Sequence, residues 1–326
     1  MSEAIALRPN MLPIASRVRA YFAPVDRTME TPVIFDPAKH GAFAVDSPPS
    51  PWVDLGLVTG VKRTAITEMH VLQSGTRGAA CGQYRSKLGA RLELEFCEWG
   101  KLQMALAGGS QHMNVLAADP NADAQPSGGS AIAPVAVLSG STASEIVLGI
   151  GAVDAFSVGD IIAVDVDYQQ QTGYVGTGVA AAYVSDPLDV LRDRDYVRRV
   201  TFNVGRVADK TTTSLILSQP LIGGTPPSAA AAQKISAFVD REGGSFFQEW
   251  SALLLVEAAS GGRICFYYPR LQCAAPAAES GYALDPEFQG WALRASFLAL
   301  PYIDRNDNQQ VVCYRSYFPS AAAGLY

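Results

Sequence analysis

Histidine, cysteine and aspartate are the residue types with which this chain could do chemistry, and their spacing decides what chemistry is open to it. The three histidines, His40, His70 and His112, stand far apart and have no metal-ligand neighbour at useful spacing. Structural zinc needs clustered Cys and His, so a zinc site is not expected. The five cysteines, Cys81, Cys97, Cys265, Cys273 and Cys313, are odd in number and include no CxxC pair. That pattern fits reduced thiols in a cytoplasm better than a disulfide framework. "GDIIAVDVDY" carries Asp160, Asp165 and Asp167 but lacks the glycine and glutamate of a calcium loop. It reads as a turn entering a strand, with Asp165 and Asp167 on the solvated face. Neither a nucleophile elbow nor a phosphate-binding loop occurs in the right context, and "GTGVA" is followed by no helix pattern. No enzyme and no cofactor are expected.

Charge narrows the partners. Net charge is −6, and only 17% of residues are charged against 48% hydrophobic. A protein that grips phosphates is usually basic, so specific nucleic-acid binding is disfavoured. "DVLRDRDYVRR" balances Arg192, Arg194, Arg198 and Arg199 against Asp189, Asp193 and Asp195, which suits a solvated ion-paired turn or a subunit contact. The N-terminus lacks a basic region followed by an apolar run, so it does not read as a signal peptide. No stretch approaches 18 apolar residues, so no membrane span is expected.

The elements that position these residues are mostly strands. Residues 1–50 hold seven prolines and read as an extended N-terminal arm, which either wanders or lies on a neighbour. Glycine-punctuated β runs begin at Trp52. Val71 to Leu88 reads as a long loop or a hairpin and carries Arg77, Arg85 and Lys87. In "ARLELEF", Leu92, Leu94 and Phe96 fall on one face and Arg91, Glu93 and Glu95 on the other. A short helix over Glu98 to Ala107 follows, with Leu102, Ala105 and Leu106 on one side and Gly108-Gly109 as its stop.

Residues 117–131 and the stretch "GGTPPSAAAAQ" read as linkers around an inserted all-β domain. The domains expected are the arm at 1–50, a β domain from 51–117 and 241–326, and an insertion at 118–240. The fold class is mainly β: a β-sandwich or partial barrel with one packed helix plus the insertion. Phe246, Phe247 and Trp250, beside Gly243-Gly244, either anchor the return into the main domain or lie in a subunit interface.

The order of these elements resembles the tail tube proteins of tailed bacteriophages. The resemblance lies in "WVDLGLVTGVKRT", "GQYRSKLGARLELEFCEWGKLQMALAGG" and "YYPRLQ…GWALRASFLALPYIDRNDNQQVVCYRSYFP", and it leaves out the insertion. It implies hexameric rings stacked into a tube in the virion tail, assembled in the host cytoplasm beside other tail proteins. DNA would pass through without specific binding. Arg91, Glu93 and Glu95 would face the lumen, where the two carboxylates repeated around each ring would make a dense negative wall that repels phosphates; the 71–88 segment would reach the next ring, and the insertion would decorate the outside. A different virion part (neck, tail terminator or baseplate) is the alternative. A carbohydrate-binding module using Tyr168, Tyr174 and Tyr183 is a third reading.

Overall fold

The computed structural model describes residues 14–25, 31–41, 43–44, 48–49, 51–74, 78–166, 195–242, 249–259, 261–274, 278–284, 287 and 289–318. The chain is mainly β, 55% strand and 8% helix.

The first half runs β1 (Ala15–Pro24), α1 (Pro37–His40), β2 (Val53–Ala65), β3 (Glu68–Ser74), β4 (Ala79–Lys87) and β5 (Ala90–Phe96). Helix α2 (Lys101–Gly108) and β6 (Gln111–Leu116) follow. Next come β7 (Val135–Ala136), β8 (Glu145–Val147), β9 (Ile161–Val166), α3 (Tyr196–Val200), β10 (Val204–Lys210), β11 (Ser214–Leu217) and β12 (Ala230–Arg241). The chain closes with β13 (Glu249–Ala258), β14 (Arg263–Cys273), β15 (Ala278–Ala283), β16 (Gln289–Ala299), β17 (Tyr302–Ile303), β18 (Gln310–Val311) and β19 (Tyr314–Phe318).

The main sheet runs β15-β16-β5-β2-β1-β13-β14-β19, and β14 also pairs with β16 through Leu271↔Ala299 to Cys273↔Phe297. That second pairing closes β16, β5, β2, β1, β13 and β14 into a barrel, which removes the free edges of those strands over their paired lengths. Inward-facing Phe22, Leu92, Leu94, Phe96, Leu254, Tyr268 and Phe297 fill it, and Leu102, Leu106 and Ala107 of α2 belong to the same core. Alternation along β5 therefore does what its pattern says: every second residue goes inside.

Three expectations about organisation need correction. The N-terminal arm is not extended away from the barrel. β1 lies between β2 and β13, and residues 31–44 lay Val33, Phe35 and Phe43 over Tyr21, Leu253 and Tyr267 on the outside of the same barrel. A strand buried on both faces reads as a continuous apolar run, "AYFAPV", so alternation gives no signal there.

The second sheet, β6-β12-β9-β10-β11-β8 with β7 beside β12, begins at Gln111, before the expected boundary. Its main core holds Ile146, Phe156, Ile162, Val164, Val207, Leu215 and Leu217. Residues 117–131 form a closed loop bridged at Ala118↔Ala131. The alanine run is no linker either: Ala230–Gln233 opens the long strand β12, and Ala230 and Ala232 are buried in that core.

The third correction concerns "DYVRR" and "AVDV". Arg198 is buried, where it binds Asp195 and donates to Gln233 Oε1 at 2.7 Å. Asp165 is fully buried and accepts the Thr201 hydroxyl at 2.6 Å. Both polar groups tie α3 to the second sheet and are not solvated.

Candidate functional site

Three surfaces follow from the residues singled out above, and a fourth place emerges from the packing. The first is the outer face of β5. Its apolar face packs inward, so Arg91, Glu93 and Glu95 point away from the barrel core. The carboxylates are not a bare acidic row. Glu95 accepts from Arg294 Nε at 2.9 Å across the β5–β16 pair, and Glu93 lies 3.9 Å from Lys62 Nζ across β2–β5. Farther round the same outer face, Arg19 grips Asp54 and Arg17 pairs with Glu257. The face is a ladder of compensated charges, and a densely negative wall is not what this side of the barrel presents. Exposed pairs of this kind contribute little stability each, about 0–1 kcal/mol.

The second surface is the hairpin of β3 and β4. It is a separate two-stranded sheet, and every residue of both strands is exposed. Arg85 and Lys87 lie on β4, with Lys87 3.4 Å from Glu68 at the base; Arg77 lies outside the described residues. Met69, Val71, Leu72 and Tyr84 face solvent, and Tyr84 stacks on His70 at 5.3 Å. A two-stranded hairpin without a layer to pack on is marginal in water.

The third is the aromatic group. Phe246 and Phe247 lie outside the described residues, as do Tyr168, Tyr174, Tyr183 and Asp167. Trp250 is fully buried in the barrel core, edge-on to Phe202 at 5.3 Å and to Phe22 at 6.4 Å. It is a core side chain and not an interface aromatic: on β13 it falls in the inward register with Ala252 and Leu254.

The fourth place, which the residue pattern did not single out, is the junction of the barrel with the second sheet. Lys101, the first residue of α2, donates from Nζ to Asn114 Oδ1 at 2.7 Å and to Thr201 O at 3.3 Å. The ammonium also lies over the rings of Phe202 (4.8 Å) and Phe238 (4.9 Å). Beside it His112 Nε2 contacts Val200 O at 2.6 Å, and its ring packs on Phe202 with centroids 3.7 Å apart. Asn114 Nδ2 donates to Arg198 O and Thr201 O, which fixes the helix–strand joint. Burial lowers Lys101 to about 7. Burial first, then Lys101, holds His112 well below its ordinary value. A cue existed in the sequence: a cation in the first turn opposes the helix dipole, so it needs a tertiary reason to be there.

A groove of about 490 Å³ opens at this junction, between β2 and the first turn of α2 on one side and β10 with residues 218–222 on the other. All five cysteines are free, and burial pushes the thiols of Cys265 and Cys273 up to about 12, so they hold their protons at neutral pH.

The Lys101 shift has a signed consequence. Between pH 7 and 10.5 the unfolded chain carries a proton that the folded chain releases, so stability rises with pH across that window and is flat in this group below it. His112 titrates below the window. The buried thiols of Cys265, Cys273 and Cys313 act in the opposite sense as pH approaches their ordinary value of 9.0, so they trim the gain near the upper end of the window. Urea unfolding at pH 7 and pH 9 is therefore expected to show a gain of up to about 1.4 kcal/mol per pH unit, trimmed by the ring faces and oxygens that favour the cation. Lys101→Met is expected to remove that gain; an equal gain in the variant would assign it elsewhere.

Among the described residues, no group of three or more His, Cys, Asp or Glu side chains could hold a metal, and no helix is long and apolar enough to cross a membrane. No known protein-family model matches the chain, and no curated protein matches it.

Proposed function

We propose that the protein is a structural subunit of a phage tail tube, forming hexameric rings that stack around a channel for DNA. The observation that carries this reading is the β3–β4 hairpin. It leaves the barrel fully exposed, with four large apolar side chains in solvent and its base closed by the Ile66 N to Gly89 O bond at 3.0 Å. A lone folded domain gains nothing from such an element. A subunit that must lay a strand pair on the next ring does.

The closed barrel with α2 built into its core agrees with the order of elements that suggested this family. In this reading Arg91, Glu93 and Glu95 face the channel, where the cross-strand cations Lys62 and Arg294 neutralise the carboxylates. Phosphates then meet a wall with little net field instead of a repelling one, and DNA still slides without specific contacts. The role is structural, with no reaction and no cofactor.

The test is the assembled state of the purified full chain at high concentration, viewed by negative-stain microscopy. Stacked tubes are the expected result. Rings that never stack would favour a neck, terminator or baseplate part, and monomers alone, even with virion tails added as seeds, would remove both.

A further inference from the structure

Two exposed apolar projections leave the barrel, and they leave it from opposite ends of β5. The β3–β4 hairpin joins the end of β2 to the start of β5, where Ala65 pairs with Ala90. The second projection is the tip made by β15 and the start of β16. β16 runs beside β5 only as far as Leu293↔Phe96, and its residues 289–292 continue past that end with β15 alongside. The seven residues of β5, about 20 Å of strand, separate the two.

At the tip Tyr282 lies over Gly290 and Trp291 over Gly281, directly across the strand pair in both cases. A Cβ on either glycine would meet the ring, so the glycines let the aromatics lie against bare backbone. Neighbouring pairs face opposite ways, so each face of the tip carries one ring. Both rings are about half exposed, and Leu284, just past β15, is 64% exposed. Trp99, between β5 and α2 at the same end, is 67% exposed. Single exposed apolar residues are ordinary, but these share one end of the barrel and three of them share one hairpin.

Charge and backbone say what covers this tip. Residues 278–291 carry Glu279, Asp285 and Glu287 and no lysine or arginine, whereas residues 69–87 carry Arg77, Arg85 and Lys87 and no acid. Among the described residues β15 ends the main sheet, and β3 with β4 forms a sheet of its own, so both projections offer open strand edges. An open edge is a template for a further strand. The hairpin thus matches the tip in three respects: opposite charge, exposed apolar side chains and unpaired backbone.

We propose that the β15–β16 tip is the surface that receives the β3–β4 hairpin of a second copy of this chain. The inference rests on the tube reading and names the receiving half of its stacking contact. The surface given and the surface received differ and lie at opposite ends. A bound copy therefore leaves its own tip open, and association runs on as a stack instead of closing into a pair.

Two blocked chains test this. One lacks residues 69–86 and keeps its tip; the other carries Tyr282→Lys and Leu284→Lys and keeps its hairpin. Neither is expected to form tubes alone, with near-UV circular dichroism to establish that each is folded. Mixed in equal amounts, they are expected to form a complex of one assembly unit of each, read by sedimentation as a doubling of mass that goes no further. Glu279→Lys, a single change on exposed β15, is expected to raise the concentration needed for tubes several-fold at low salt and less at high salt. It keeps the test alive if the double variant does not fold. Three results overturn the proposal while leaving the tube reading in place: the double variant builds tubes as readily as the wild type, the mixture sediments no faster than its components, or Glu279→Lys has no effect at low salt. A wild-type chain that stays monomeric overturns both.

Discussion

Removing residues 69–86 and joining Glu68 to Lys87 through Asn-Gly is expected to abolish polymerisation and leave the subunit folded. The fold should survive because the hairpin adds no buried side chain to any of the hydrophobic clusters. Its two ends are also already paired, Glu68 opposite Lys87, and the bond from Ile66 N to Gly89 O lies below the cut. A two-residue Asn-Gly turn suits an antiparallel pair whose ends are already in register. Surface changes remote from a core typically alter stability by about 0.5 kcal/mol or less.

Assembly should fail because the hairpin projects four large apolar side chains from the barrel, with Met69, Val71, Leu72 and Tyr84 all close to half exposed. Burying one such side chain contributes on the order of 1.5–3 kcal/mol at an interface. A ring that loses this contact at each subunit loses it many times over. Negative-stain microscopy and sedimentation of the shortened chain decide the matter, with near-UV circular dichroism to establish that it is folded. Tubes formed by the shortened chain would show that stacking uses some other surface.

The elements legible in the sequence were those with one buried face. β5 alternates, and its register is set by that alternation. Helix α2 shows its apolar side at Leu102, Ala105 and Leu106, and Gly109 ends it in the left-handed conformation, with φ 62°. The hairpin was readable as a hairpin or a loop because Gly75, Gly78 and Gly82 interrupt a β-prone run.

Elements buried on both sides were misread, for one physical reason. Such a strand carries no polar face to mark it. β1 looked like part of a proline-rich arm, and Ala230–Gln233 looked like a low-complexity linker. The small residues that open β12 pair with β9 on one side and β7 on the other, and a composition count cannot distinguish such a run from a flexible one.

The junction site was invisible for another reason. Lys101, His112, Asn114 and Thr201 span a hundred residues, and only the pairing of β6 with β12 and the seat of α3 on β6 bring them together. The one local trace was Lys101 itself, a charge at the wrong end of a helix. Charge compensation on β5 was hidden in the same way. Lys62 and Arg294 become neighbours of Glu93 and Glu95 only through strand pairing.

Excision of residues 120–240 is expected to unfold the barrel, although an insertion bracketed by linkers could be cut out cleanly. Two features of the packing decide this. β6 would lose its antiparallel partner β12, which pairs with it from Ile235↔Leu116 to Arg241↔Gln111. The backbone groups of a nearly fully buried strand would then be left without partners. The barrel would also lose Phe202, which belongs to its core and lies against both Trp250 and His112. Phe202 comes from the segment between α3 and β10, so the inserted chain contributes directly to the main core.

A point substitution isolates that contribution. Phe202→Ala is expected to destabilise the whole chain by about 3–5 kcal/mol, the range for emptying a buried aromatic site. It also removes a ring face from Lys101 and leaves the His112 ring without the ring it packs on. Urea unfolding followed by tryptophan fluorescence reads the barrel, because Trp250 touches Phe202 directly. Far-UV circular dichroism reads both sheets. If the two share a core, Phe202→Ala moves both transitions together. A barrel transition that stays in place while the second sheet melts earlier, or a folded 120–240 deletion, would mean that the barrel stands without the insertion and that Phe202 is only a lid on it.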